Sequence, residues 1–203
     1  MLDEYLEFLH ERYLISDKTI SIDLDKFISG EKKKLLIVGL SGAGKSTLCG
    51  HLAKKYKAEC FMTDKCKHII MHPNKHIGGH NPPDNILKEV FLEGYLKCAR
   101  PQLKNNKRQV IEGAFVWQNY LYFPQFRNEQ NHHPTIILGV SALKSVWGVL
   151  KRVKAKHDLP YAIGRIPLVF ERNFKILSKR IDLFRKLRLE AGGEVEEFKV
   201  PKL

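Results

Sequence analysis

One segment restricts the fold of this chain more than any other: KKKLLIVGLSGAGKSTLCGHLAKKY, from Lys32 to Tyr56. The aliphatic run Leu35 to Val38 has the length and composition of a strand buried on both faces, and from Lys45 onward the spacing of Leu48 and Leu52 is helical. Between them stands Gly39-Leu-Ser-Gly-Ala-Gly-Lys45-Ser46, a full match to G-x-x-x-x-G-K-[ST] in the strand-to-helix context that gives the pattern its physical meaning. A turn that only joined a strand to a helix would need neither the lysine nor the hydroxyl in those places. Backbone N–H groups in such a turn, with those opening the helix, point at one concavity, which suits an anion by hydrogen bonding and by the helix dipole.

The remaining sequence supports one compact unit around that strand. A chain of 203 residues with 43% hydrophobic content buries one good core, so residues 1–203 read as a single domain that includes an N-terminal helix of about residues 1–30. The opening MLDEYLEFLHERYL carries acids where a secretory signal needs lysines, and no apolar run approaches the length of a membrane span. A cytoplasmic chain with no membrane partner is therefore expected. Cys49, Cys60, Cys66 and Cys98 show no C-x-x-C spacing, which predicts free thiols, with Cys49 facing inward on the helix after the loop. Lys and Arg number 35 against 22 Asp and Glu, a net charge of +13, which favours anionic partners, phosphorylated small molecules or nucleic acid.

Strands and helices alternate along the chain. Leu2, Tyr5, Leu6, Leu9, Tyr13 and Leu14 recur at helical spacing, and Thr19 to Asp23 reads as a short edge strand before a turn at Gly30. Strands are expected at Leu35 to Val38, Ala58 to Met62, Gln109 to Gly113, Thr135 to Val140 and in the final EVEEFKV. Helices are expected at Lys45 to Tyr56, Asp84 to Leu103, Ala142 to Lys156 and Leu168 to Glu190, with a loop around Gly78-Gly79 and Pro82-Pro83. The order implies right-handed crossovers and an α/β, doubly wound, mainly parallel five-stranded sheet flanked by helices.

The loop predicts its own chemistry. Gly39, Gly42 and Gly44 let the backbone wrap a phosphate without Cβ clashes, and the amides of Ser41, Ala43 and their neighbours line the cradle. Lys45 is expected to reach the β and γ phosphates of ATP, Ser46 to hold Mg²⁺, and Thr47 to touch the α phosphate. On these residues, GLSGAGKSTL resembles the loop of the P-loop kinases, the group holding adenylyl-sulfate kinase, adenylate kinase-like enzymes and polynucleotide kinases. The resemblance implies a central parallel sheet, ATP with Mg²⁺, and a basic lid, here about residues 152–172. GTPases share the loop, but Asn74-Lys75-His76-Ile77 and Asn106-Lys107-Arg108-Gln109 both lack the aspartate of N-K-x-D.

Transfer of a phosphoryl group to a hydroxyl needs a carboxylate to orient the nucleophile and take its proton. Asp64 follows the second strand at the rim where doubly wound sheets place ligands, and the resemblance points to it as the base. As an aspartate before a helical stretch, it equally suits an N-cap. Glu112 ends QVIEG and is a candidate for a Mg²⁺-bound water or for the acceptor; in many relatives an Asp stands here. Arg165 and Arg172 lie just beyond a basic helix containing Lys151, Arg152, Lys154 and Lys156. Relatives deliver guanidinium donors from a lid at this place, so Arg165 and Arg152 are expected at the phosphates and Arg172 on the substrate side.

FVWQNYLYFPQF, from Phe115 to Phe126, offers rings beside this site, and Trp117 and Tyr120 are the candidates to stack a base. His68, His72, His76 and His80 recur every fourth residue, but Pro73 and Gly78-Gly79 interrupt the helix that Zn²⁺ binding would need. On the late helix, Phe170, Phe174, Leu177, Ile181 and Phe184 form a core stripe, with Arg172, Lys175, Lys179 and Lys186 on another face. These features predict an ATP-dependent phosphotransferase whose acceptor is a base-containing anion: a nucleic acid, including a modified base in DNA, or a nucleotide. Two alternatives remain open. Asp64 with His72-Pro73-Asn74 and Ile111-Glu112-Gly113 resembles the zeta-toxin kinases, which suggests a sugar nucleotide or other small metabolite; the other is an ATP-gated nucleic-acid-binding module.

Overall fold

The computed structural model describes residues 22–71, 84–139, 147–150, 167, 176–192 and 195–199. In chain order these form α1 (Ile22–Ser29), β1 (Lys34–Gly39), α2 (Lys45–Lys55), β2 (Glu59–Met62) and a 3-10 helix (Thr63–Ile69). After them come α3 (Asp84–Gly94), a π turn (Tyr95–Ala99), α4 (Arg100–Lys104), β3 (Gln109–Glu112) and α5 (Ala114–Tyr122). A 3-10 turn (Pro124–Phe126), α6 (Arg127–Asn131), β4 (Thr135–Gly139), α7 (Ser178–Glu190) and β5 (Val195–Lys199) complete the order. Among the described residues, no helix is long and apolar enough to cross a membrane.

The strands form one sheet in the order β2-β3-β1-β4-β5, with every pairing parallel. β1 lies at the centre because all six of its residues are buried, so both of its faces must be covered. Alternate side chains serve opposite faces. Leu35 and Ile37 pack with Leu48, Leu52 and Phe184, whereas Leu36 joins Ile111, Val90, Phe91, Tyr95 and Phe115. The chain runs from β1 to β2 and β3 on one side and then to β4 and β5 on the other. The carboxyl end of β1 therefore opens at the point where an α/β sheet reverses its direction of growth.

Three expectations are corrected here. Ile22 and Asp23, read as the end of an edge strand, begin a helix, because Leu24 and Phe27 stand three apart and are both buried in the cluster that contains Leu35. The expected helix Asp84 to Leu103 exists but changes winding at the π turn just before Pro101, which can neither donate to the carbonyl four residues back nor fit its ring against it. The cysteines are bonded, Cys49 to Cys60 with Cα atoms 5.5 Å apart and Cys66 to Cys98 at 6.1 Å. Sequence spacing held no trace of this, since each pair meets only after β2 has folded back beside α2 and the 3-10 helix beside the π turn. Cys49 does face inward. The helix over residues 2–14, residues 19–21 and the His72 to Pro83 loop lie outside the described residues, as do most of the helix 142–156, the lid 152–172, and Phe170, Phe174 and Lys175.

Buried polar groups close the amino-terminal end of the sheet. Lys34 Nζ donates to Asn105 Oδ1 (2.6 Å), Lys107 O (2.6 Å) and Gln109 Oε1 (2.7 Å), while burial pulls its pKa down to about 8. Arg188, fully enclosed, donates to the carbonyls of Gln130 (2.7 Å), Asn131 (3.5 Å) and His133, with its guanidinium over the Tyr120 ring. Replacing it strands those acceptors away from water, so Arg188→Leu is expected to lower stability by roughly 3 kcal/mol in urea denaturation. Burial, with Arg188 close by, pushes His133 from 6.5 down to about 4. Below 6.5 the unfolded chain takes up a proton that the folded chain refuses. Stability should therefore decline as pH falls from 6.5 towards 4, and denaturation midpoints for His133→Gln should lose that slope.

Candidate active site

β1 ends inside the core and delivers the glycine turn to the rim of the sheet. Gly42 (φ +85°) and Gly44 (φ +90°) take left-handed conformations that a side chain would strain, and Gly44 is the N-cap of α2. No side chain caps that helix end, and its first turn contains no acid. The opening of α2 therefore presents its N–H groups and the positive end of its dipole without a competing anion of its own. Lys45 Nζ folds back to donate to Leu40 O at 2.9 Å, inside the turn.

Ser46 Oγ donates to Glu112 Oε1 at 2.8 Å. The two residues are 66 apart in sequence and meet because β3 pairs with β1, with Ile37 opposite Glu112. Glu112 is 4% exposed, so its carboxylate belongs to the floor of the site rather than to the surface. On the next strand Met62 stands opposite Glu112. Asp64, two residues further on, is exposed as the second residue of the 3-10 helix that leaves the rim. That helix is held from the other side by the Cys66–Cys98 bond and by Glu93, which accepts from the Met71 amide at 2.7 Å.

Two glycines to which the sequence reading gave no role in the packing shape this rim. Gly113 has φ +125°, and a Cβ on it would lie 2.0 Å from Thr63 Oγ1, a buried hydroxyl with no hydrogen-bond partner among the described residues. β2 and β3 can thus converge just before Asp64. Gly148 has no Cβ to stand 2.5 Å from Gly42 O and 3.1 Å from Gly42 Cα, so the helical residues 147–150 lie directly against the phosphate-loop backbone. Gly113 had a signal, a glycine at a strand end after an acid. Gly148 had none, because its neighbour is more than a hundred positions away.

The aromatic expectation is corrected. Trp117 is 2% exposed and Tyr120 fully buried, both in the core cluster with Ile37, Val110 and Phe184. Tyr120 meets Phe184 edge-on and donates to Asn131 Oδ1 at 2.8 Å. α5 is buried continuously from Phe115 to Tyr120, so neither ring has a face left for a base. His68 is exposed, with Nδ1 donating to Lys65 O at 3.0 Å, and no metal-binding cluster occurs among the described residues. Arg152, Arg165, Arg172, His72, His76 and His80 lie outside the described residues. Leu177, the N-cap of α7, and Ile181 and Phe184 on it are buried, and Lys179 and Lys186 are exposed.

No family model and no curated protein matches the chain. Among solved structures it is similar to a gluconokinase from Sinorhizobium meliloti 1021, at 12% identity over 84% of this chain and 83% of that one, with a TM-score of 0.46. It is also similar to a deoxyadenosine kinase from M. mycoides with bound dCTP, at 21% identity over 82% and 89% of the two chains and a TM-score of 0.45. A shikimate kinase from Aquifex aeolicus vf5 overlaps at 12% identity over 78% and 96%, with a TM-score of 0.38. Likenesses this distant leave the chemistry to the site's own geometry.

Gly113→Ala combines a disfavoured φ with a collision, and is expected to cost roughly 2 kcal/mol in thermal or urea denaturation. Adding Thr63→Ala should relieve the collision and leave the backbone strain, so the double variant should recover part of the loss.

Proposed function

We propose that this protein is an ATP-dependent kinase that transfers the γ phosphate to a hydroxyl of an anionic acceptor. The observation that carries the proposal is the meeting of Ser46 and Glu112 at 2.8 Å beside a helix opening that has no acid of its own. Lys45 and the amides of Gly39, Ser41, Gly42, Ala43 and Gly44 hold the β and γ phosphates, and Thr47 touches the α phosphate. A hydroxyl and a carboxylate together form the hard oxygen donor set that Mg²⁺ takes, which is the fit the residues present. Ser46 would bind the ion directly and Glu112 through water, and the ion would supply neutralising charge at the phosphate oxygens. Asp64 orients the acceptor hydroxyl and takes its proton. Arg152 and Arg165 stabilise the transferring group and Arg172 contacts the acceptor, roles that rest on their position in the chain.

The net charge of +13 supports an acceptor of the class expected from the sequence, a nucleic acid, a modified base within it, or a nucleotide. Burial of Trp117 and Tyr120 removes the rings that favoured a base-containing acceptor, and within the second reading, a small metabolite or a sugar nucleotide, this observation favours the small anionic metabolite, which has no base. A γ-phosphate transfer assay with Mg²⁺ distinguishes the two, offering single-stranded and duplex DNA, RNA, base-modified DNA, and panels of nucleotides, sugar nucleotides and small anionic alcohols. Label is expected on one of these in wild type and on none in Lys45→Ala. Asp64→Asn should lose about 10²- to 10⁴-fold in kcat while binding ATP as wild type does. Full transfer activity in that variant would remove Asp64 as the base, whereas label on none of the acceptors in wild type would leave an ATP-gated binder in place of a kinase.

A further inference from the structure

We infer that the amino-terminal end of the sheet is a docking surface for the phosphate backbone of nucleic acid, at the opposite end of the strands from the phosphate loop. The inference goes beyond the kinase reading and does not rest on it, since it holds whatever receives the γ phosphate. Four stretches lead into strands here: residues 31–34 into β1, 54–58 into β2, 104–108 into β3 and 132–134 into β4. Together they contain nine Lys or Arg and one acid, Glu31, a surplus that accounts for most of the net charge of +13. Backbone hydrogen bonds hold the stretches side by side. Gln109 N donates to Lys33 O at 2.8 Å, Glu59 N to Arg108 O at 2.9 Å and Leu36 N to Pro134 O at 2.9 Å.

Part of this charge is structural. Lys34 and Arg108 are bonded to backbone carbonyls, and Lys104 and Lys107 pair with Glu129 (3.1 Å) and Glu59 (3.0 Å). Lys33, Lys54 and Lys57 are exposed, and no ion pair among the described residues engages them. Lys54 lies in the last turn of α2, where a cation also suits the negative end of the helix dipole. Lys57 has no such duty. Its φ is +50°, and it follows the C-cap Tyr56, in the place that glycine fills without strain. A lysine there acts against its own backbone preference, and what it adds is a charge in water. The field at this edge is one-sided at His133 as well: burial lowers its pKa first, and Arg188, Lys34, Lys32 and His132 each lower it further, so none of the groups acting on it is an acid. Glu190, which ends α7 ahead of β5, marks the limit of the basic face.

The dimensions fit a polymer. Neighbouring strands lie about 4.8 Å apart, so the entries to β2, β3 and β1 span about 10 Å. Duplex DNA carries one charge per about 1.7 Å of its axis, so several phosphates face the lysines at once. Lysine is a flexible point charge, which suits contact with backbone phosphates without reading the sequence of bases. Among the described residues, the large exposed apolar side chains all lie outside these stretches, so the face lacks what a membrane-surface element would bury in lipid. The six residues of β1, at about 3.3 Å each, set this edge roughly 20 Å from the phosphate loop. A nucleic acid held here therefore leaves the loop open.

Fluorescence anisotropy of a short labelled duplex DNA, titrated with the full chain across about 50 to 200 mM salt, tests this. Lys33→Gln, Lys54→Gln and Lys57→Gln together are expected to weaken binding about tenfold at the lowest salt, and to flatten the slope of log affinity against log salt by about 2 to 3. The control is Lys88→Gln, Lys97→Gln and Lys179→Gln together, which removes the same charge from exposed places on α3, the π turn and α7 and is expected to bind nearly as wild type does. Equal weakening in the two triple variants would mean that overall charge, and not this face, holds the DNA, and would overturn the inference. So would a wild type that does not bind the duplex at the lowest salt. A third overturning result is wild type binding phosphatidylcholine vesicles that carry phosphatidylserine, with loss only in the first triple variant, while DNA binding is the same in all three proteins.

Discussion

The hydrogen bond from Ser46 to Glu112 joins the start of α2 to the end of β3, and most of the surrounding architecture is a condition for it. Its two partners meet only if β1 and β3 are neighbours in parallel register and if the chain turns within a few residues from β1 into α2. The turn needs Gly44 in a left-handed conformation, and the register needs Leu36 and Ile111 shielded by α3 and α5. A hydroxyl and a carboxylate are thereby held together at the mouth of a helix whose positive end faces them. The site is thus a consequence of burying the central strands, and its precision is inherited from the sheet.

Convergence at the rim depends on missing atoms as much as on present ones. Gly113 brings β2 and β3 together ahead of Asp64, and Gly148 brings the helix after β4 onto Gly42. In both places backbone approaches a neighbour more closely than a Cβ permits, which adds close packing to the Ser46–Glu112 hydrogen bond in joining the sides of the site. The far end of the sheet uses the opposite device. There Lys34 Nζ and the two terminal guanidinium nitrogens of Arg188 lie against carbonyl and amide oxygens, so charge is spent on fixing strand ends. Glu129 plays a similar part on the flank, accepting from Arg100 Nε and Nη2 and from the Tyr95 hydroxyl, and is held down to about 2 chiefly by Arg100. Part of the basic excess is therefore structural.

Much of the fold was legible in the sequence because its signals are local. A buried strand, a glycine turn and an amphipathic helix each announce themselves within a window of about a dozen residues, and β1, α2, β3 and β4 fall close to their expected places. The errors came where a pattern had to be assigned to a side. Ile22-Asp23 alternates like the end of a strand, yet the helix pairing Leu24 with Phe27 prevails because α1 has a core to face. The aromatic run after Glu112 looked like a stacking surface, yet α5 is enclosed along its length and Trp117 and Tyr120 fill the space between β1 and α7.

The sequence by itself determined the glycine turn between β1 and α2, the parallel α/β architecture around it and the candidate acids Asp64 and Glu112, because each is encoded by residue type at fixed short spacing. Tertiary structure alone decided that Ser46 and Glu112 touch, that Cys49 meets Cys60 and Cys66 meets Cys98, and which tryptophan stays in water. The physical reason is distance along the chain. Contacts between remote residues depend on how strands order themselves and on which helix face each layer covers, and those choices are made by the whole core at once.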